Sequence, residues 1–366
     1  MRPLRSRPFI SLASSLALGL AACSSGDPST DPSAPDDATA VATTDLPPPS
    51  EAPSTSAAAE TSSSPDTTGA PDTTGAPATT STSAPLDPAG ALREGRPYEV
   101  ETLTFTFVDD TRSTTPITGD PLPTRTLPTT VWMPVTDQPV PLIVFSHGFG
   151  ASPAKFERML GAWASAGYAV AAPAFPLTND SLDPAERDLG DVANQADDVS
   201  FVLDQVLASE IGSGVDTSRL AAAGLSLGGL TTYLAAIDEA TRDDRFIAAV
   251  VQAAVPPGPS FVAHEMPVLV MHGELDPVVP LDVADSASAM LAEPVYTVTL
   301  LGGFHAEPFE DAEDNTAFPD REKFHPIVDA TTIAFWDTHL AADPTAAAEI
   351  TTAADQPGVS TIVSRR

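Results

Sequence analysis

From Tyr98 to Val108 apolar and polar positions alternate, with Val100, Leu103, Phe105 and Phe107 as the apolar set, and Thr126 to Met133 repeats the pattern around Trp132. This spacing predicts two antiparallel strands forming an edge pair with one solvated face. The pattern then changes. Leu142-Ile-Val-Phe145 is apolar throughout, as a strand covered on both faces must be, and Tyr168-Ala-Val-Ala-Ala172 is its counterpart. Between them, Ser152 to Ala166 reads as a helix with Ser152 as N-cap before Pro153. Val192 to Ala208 is an amphipathic helix. Strand-like runs follow at Arg219 to Ala223, Ile247 to Val251, Pro267 to Met271 and Val295 to Leu301, with helices after Ser226, from Leu281, and over Phe324 to Leu340. Alternating strands and helices predict an α/β protein: a mostly parallel, doubly wound sheet with helices on both faces.

The first quarter of the chain follows neither period. Met1-Arg-Pro-Leu-Arg-Ser-Arg7 is basic and Phe9 to Leu20 is apolar, a run too short to cross a bilayer unaided. From Ser24 to about Pro88 the chain is Ser, Thr, Ala, Pro, Asp and Gly, with the tandem Pro65-Asp-Thr-Thr-Gly-Ala70 and Pro71-Asp-Thr-Thr-Gly-Ala76. Too little apolar surface exists there to offset ordering entropy, so a disordered tether is expected, with a root-mean-square reach of about 45 Å. The sole cysteine, Cys23, excludes any intramolecular disulfide. The resulting division is a leader over 1–22, a tether over 23–92, a catalytic domain over 93–342 and a C-terminal tail over 343–366.

Charge narrows the partners. A formal net charge of −33 argues against nucleic acid and against electrostatic attraction to anionic lipid. It also disfavours anionic substrates. No histidine pair has metal-ligand spacing, and no metal or organic cofactor is implied.

The chemistry centres on Gly224-Leu-Ser226-Leu-Gly228, a G-x-S-x-G between a strand-like run and a helical one. A nucleophile at such a turn needs small residues two positions to either side, so that the incoming and outgoing backbones can pass. Asp276 follows the apolar run Pro267 to Met271, and His305 lies in the Gly-rich loop after Val295 to Leu301. Ser226, Asp276 and His305 therefore follow three different strands, in the order of a nucleophile, an orienting acid and a base. Glu274 is the fallback acid. The oxyanion donors are expected to be the backbone N–H groups of Leu227 and Phe149, the latter within Ser146-His-Gly-Phe-Gly150. His147 precedes the serine and reads as part of that loop rather than as the base. His264, His272, His325 and His339 have no comparable setting. Only Gln252 to Met266 separates two strands, too few residues for a large lid domain. Phe175 to Asp191 is long enough for a modest flap.

These motifs resemble the α/β-hydrolase superfamily from about Tyr98 to Leu340. Pro141-Leu-Ile-Val-Phe-Ser-His-Gly-Phe-Gly150, Ala166-Gly-Tyr-Ala-Val-Ala-Ala-Pro173 and His272-Gly-Glu-Leu-Asp276-Pro-Val-Val-Pro280 are most similar to the branch of dienelactone-hydrolase-like, chlorophyllase-like and platelet-activating-factor-acetylhydrolase-like enzymes, with bacterial polyester hydrolases nearby. Dienelactone hydrolases carry cysteine where this chain has Ser226. Secreted cutinase-like enzymes usually carry a disulfide, which this chain cannot form. Leu20-Ala-Ala-Cys23 resembles the lipobox of bacterial lipoproteins, which implies acylation of Cys23 and a membrane-tethered protein facing outside the cytoplasm; a monomer is expected. The resemblance implies a serine hydrolase of small or polymeric carboxylic esters. The alternatives are a peptidase or amidase of the prolyl-oligopeptidase type, and a non-catalytic surface-binding lipoprotein on the same scaffold.

Overall fold

A computed structural model of the chain describes residues 92–311 and 321–366. The expected leader, Cys23 and all of the tether but Leu92 lie outside the described residues. The described part is built on a nine-stranded sheet in the order β1-β2-β4-β3-β5-β6-β7-β8-β9.

β1 (Val100–Asp109) and β2 (Arg125–Pro134) pair antiparallel along their whole length. They are not an isolated edge pair, because β2 also joins β4 (Ala169–Pro173) antiparallel. β2 is consequently buried on most of its length, and of the two β1 alone stands at a sheet edge. From β4 the sheet is parallel through β3 (Val140–Ser146), β5 (Val215–Leu225), β6 (Phe246–Gln252), β7 (Val268–Gly273) and β8 (Val295–Leu300). Every residue of β3, β4 and β7 is buried, which is why these strands read as continuous apolar runs.

α1 (Glu157–Ser165), α5 (His325–His339) and α6 (Ala347–Ala354) pack together on the sheet, while α2 (Val192–Ala208) packs with α3 (Leu227–Thr232). α4 (Leu281–Met290) lies against β7 and β8. Phe145 of β3, Trp163 of α1 and Trp336 of α5 meet edge to face in the core, with ring centroids 6.1 and 5.6 Å apart along that series. The helix expected from Ser152 begins instead as a 3-10 turn over Pro153–Phe156. Ser152 makes no cap, because its hydroxyl donates to Asp180.

A buried ion cluster joins β2 to the start of α2. Arg125 is almost wholly enclosed and donates to both Asp191 and Asp198, at 2.5–2.9 Å. Arg112 reaches Asp198 from the far side, at 2.9 Å. Each charge in this cluster has a partner, without which its burial would cost several kcal/mol.

Residues 343–366 are not a tail. α6 buries Ile350 and Ala354, and β9 (Ser360–Arg365) pairs antiparallel with β8 from Val295↔Arg365 to Leu300↔Ser360. β9 was hidden because backbone ladder bonds hold it: most of its side chains stay at least partly exposed, so it carries no apolar pattern. Its position covers an edge of β8 that would otherwise offer unpaired N–H and C=O groups. Ending the chain at Ala342 should therefore lower the thermal unfolding midpoint by more than about 10 °C, or abolish soluble expression. Differential scanning fluorimetry against the full chain checks this, and an unchanged midpoint would return these residues to the status of a tail.

Candidate active site

β4 and β5 lie on opposite sides of β3, so the connections leaving the carboxyl ends of β3 and β5 diverge and open a crevice there. Ser226 stands at that end, between β5 and α3, with φ 55° and ψ −116°. The turn leaves no room for side chains at its flanking positions. A Cβ on Gly224 would lie 2.2 Å from the Gly228 carbonyl oxygen, and one on Gly228 would lie 2.0 Å from that of Ser146. Two backbone bonds hold the strained residue: Ser226 N–H donates to Gln252 O at 2.8 Å, and Ser226 O accepts from Leu230 N–H at 3.0 Å.

The structure brings Ser226, His305 and Asp276 into one line. Ser226 Oγ is 2.8 Å from His305 Nε2, and His305 Nδ1 is 2.7 Å from Asp276 Oδ2. Asp276 can only accept, so Nδ1 carries the proton and Nε2 is free to accept from the serine hydroxyl. Asp276 is buried, and its other oxygen accepts from the N–H groups of Val278 and Val279 at 2.8 and 2.9 Å. Burial opposes its ionisation. The side-chain bonds from His272 and His305, with the Val279 N–H, outweigh burial and hold the carboxyl well below the usual carboxylate range.

His272 was passed over in the sequence as a histidine without a setting. The structure places it against Asp276: its Nε2 lies 3.2 Å from Asp276 Oδ2 and 2.7 Å from Val279 O. Both partners accept, so Nε2 bears the proton and steadies the same carboxylate oxygen that faces His305. The signal was present as spacing, since His272 and Asp276 flank one tight turn, but only the turn's path shows that the ring folds back. Glu274 has a different task from the one held in reserve for it. It is exposed and accepts the Gly302 N–H at 2.9 Å, bracing the loop that carries His305. His264 bonds Glu239, and His339 bonds Tyr296.

The loop after β3 lies directly against Ser226: a Cβ on Gly148 would be 3.4 Å from that of Ser226. Within it His147 is fully buried. Its Nε2 accepts the Phe175 N–H at 3.1 Å, so Nδ1 carries the proton and donates to Gly148 O at 2.7 Å. That carbonyl belongs to the same trans peptide as the Phe149 N–H, and the two point in opposite directions. Fixing one aims the other. Leu227 opens α3, where an N–H has no acceptor within its own helix. Phe149 is itself partly exposed at the mouth of the crevice.

Phe175 to Asp191, expected as a flap, is in its first part a packed buttress. Thr178 O accepts the Gly150 N–H at 2.7 Å, and the Asp180 N–H donates to Ala151 O at 3.1 Å. Phe175, Leu177, Thr178 and Asn179 are all buried. Only the stretch beyond Asp180 is largely exposed.

Residues 104–272 match the chlorophyllase family model. Among solved structures, a ferulic acid esterase from Streptomyces cinnamoneus superimposes with a TM-score of 0.57 at 21% identity, covering 73% of this chain and 96% of that one. At that identity the likeness is one of fold. No curated protein matches the sequence. The mostly parallel sheet, its strand-to-helix elbow and these likenesses define the α/β-hydrolase fold. Over residues 104–272 the chain is similar to the chlorophyllase family, a dienelactone-hydrolase-like branch of that fold.

His147 supplies a pH test. Burial pushes its pKa down to about 4, against weaker upward pulls from Gly148 and Asp180. The unfolded chain takes up this proton near pH 6.5 and the folded one only near 4, so the contribution to stability is complete above about 6.5 and is lost as pH falls to about 4. The loss amounts to about 3 kcal/mol. His339, also lowered to about 4 by burial, titrates in the same window, so the comparison must be made against His147→Gln. Urea midpoints of the two proteins should converge as pH falls from 7 to 4.5. Parallel curves would show that His147 is not buried as a neutral ring.

Proposed function

We propose that this chain is a serine hydrolase of carboxylic esters, held at the outer face of a membrane by an acylated Cys23. The observation that carries the chemistry is the continuous contact from Ser226 Oγ through His305 to Asp276. His305 Nε2 takes the hydroxyl proton as Oγ attacks the ester carbonyl. Asp276 holds the ring in the tautomer that can accept, and stabilises the imidazolium that forms. Negative charge developing on the carbonyl oxygen meets the N–H groups of Phe149 and Leu227. The imidazolium then protonates the departing alcohol. Water, deprotonated by the same nitrogen, cleaves the acyl-enzyme and restores Ser226.

The substrate is a small or polymeric ester, neutral at the scissile end, because the acidic protein repels anions. Esters fit better than peptides: the comparison fold is that of an enzyme titled a ferulic acid esterase, and among the described residues no propeller-sized region restricts access to the crevice. Anchoring rests on the basic leader, its short apolar run and Leu20-Ala-Ala-Cys23. The tether would let the domain range tens of ångströms from the membrane.

A fluorophosphonate probe should label the wild-type protein, and Ser226→Ala should remove both the label and the hydrolysis of p-nitrophenyl esters. His305→Ala and Asp276→Ala should lower kcat by about 10⁴ or more, without adding when combined, because the three groups act as a unit. Turnover of peptide amides in preference to esters would favour the peptidase alternative.

For the anchor, Cys23→Ala should abolish lipid labelling and release the protein from the membrane fraction. Mass spectrometry of the mature protein should find an acylated Cys23 at its N-terminus. Any other N-terminus refutes the anchor without touching the chemistry.

A further inference from the structure

Gln195 is fully buried on α2, one helix away from the nucleophile, and both ends of its amide are bonded. Nε2 donates to Thr178 Oγ1 at 2.9 Å, and Oε1 lies 2.5 Å from Thr231 Oγ1. Thr231 Oγ1 is also 3.0 Å from the carbonyl of Leu227, one turn earlier on α3. On the other side, the carbonyl of that same Thr178 accepts the Gly150 N–H at 2.7 Å. Hydrogen bonds thus run from Gly150, through Thr178 and Gln195, to Thr231 on α3, whose single hydroxyl proton faces two acceptors, the nearer Gln195 Oε1 and the Leu227 carbonyl. The two ends are the residue next to Phe149 and the residue one turn after Leu227, Phe149 and Leu227 being the two expected oxyanion donors.

An amide is costly to bury unless it is satisfied, and an apolar side chain would fill the same space at lower cost. This amide also has a fixed origin. Asp191 and Asp198 lie four residues before and three after Gln195, on the same side of α2, and Arg125 binds both. α2 is therefore pinned to β2 on either side of Gln195, and the amide spans from a rigid element to two separate loops. Nothing else described in the site links the loop after β3 to the start of α3 through side chains.

We propose that Gln195 is a positioning residue that sets the spacing of the Phe149 and Leu227 N–H groups around the developing oxyanion. The inference rests on the serine-hydrolase reading above. It predicts that loosening Gln195 weakens binding of the tetrahedral species and leaves ground-state ester binding nearly intact, since the hole is complementary to the oxyanion rather than to the carbonyl.

The test uses the full chain with p-nitrophenyl acetate, and with a trifluoromethyl ketone whose serine adduct places an oxyanion in the hole. Gln195→Leu should lower kcat by about 10- to 100-fold. KM should change by less than about threefold, and Ki for the ketone should rise in step with the loss of kcat/KM. Thr231→Val and Thr178→Val each remove one hydroxyl without changing shape, and should give smaller losses of the same kind. They also supply the readout if Gln195→Leu does not fold.

Gln195→Glu separates positioning from mere packing. A neutral carboxyl offers one donor and one acceptor and can make both bonds, and burial favours that neutral form. This variant should approach wild-type kcat at the acid end of the active range and lose activity as pH rises, a loss the wild type does not show. Wild-type kcat and Ki in the folded leucine and valine variants would overturn the proposal. So would a Gln195→Glu loss that equals that of Gln195→Leu at every pH. A wild type that the fluorophosphonate probe does not label would defeat the serine-hydrolase reading and this inference with it. A labelled wild type indifferent to Gln195 would defeat this inference alone.

Discussion

Two stretches of backbone pass each other beside Ser226 at a separation that no Cβ could share, and the rest of the site is arranged around that crossing. Gly224 and Gly228 permit it, and the serine takes a positive φ as a result. A non-glycine residue held in such a conformation costs about 1–3 kcal/mol. The surrounding sheet offsets that cost: Gln252 at the end of β6 takes the Ser226 N–H, and the first turn of α3 takes its carbonyl. At this turn Ser226 Oγ comes within 2.8 Å of His305 Nε2, and the Leu227 N–H, at the start of α3, has no acceptor in its own helix.

The residues around this crossing are held by neutral or fully compensated polar groups. His147 is kept neutral by burial and aims one peptide unit. Asp276 is kept ionised by four donors, two from backbone and two from imidazoles. Arg125 holds two carboxylates in the interior, where either alone would be unstable. In a chain of formal charge −33, the arginines serve mainly to tie acidic side chains down. Arg93 joins Asp343 and Glu349 of the C-terminal segment, and Arg96 joins Asp337 at the end of α5. The entry and exit of the domain are thereby fastened to each other.

Much of this was legible in the residues. Period-two alternation marked β1 and β2, and unbroken apolar runs marked the buried β3, β4, β6 and β7, because burial on one face or two leaves a direct imprint on side-chain choice. Glycine at 224 and 228 marked the elbow for an equally local reason. The meeting of Ser226, Asp276 and His305 could be expected in advance because each follows its own strand, and the carboxyl ends of parallel strands lie along one side of a sheet. What left no imprint was whatever depends on backbone bonding or on partners distant in the chain. β9 looked like a tail because its ladder bonds to β8 are indifferent to side chain. Ser152 looked like a helix cap because its partner, Asp180, lies outside the local window.

The sequence by itself determined the alternation of elements, the strained turn and the order of the three groups along the chain, since these follow from the local fit of side chain and backbone to a buried sheet. The tertiary structure alone decided which bystanders became part of the site. Nothing near His272 in the sequence says that its ring folds back onto Asp276, and nothing near Gln195 says that its amide bridges Thr178 and Thr231. Their roles depend on where separate elements come to rest in space, and hydrogen bonds across such distances are set by packing.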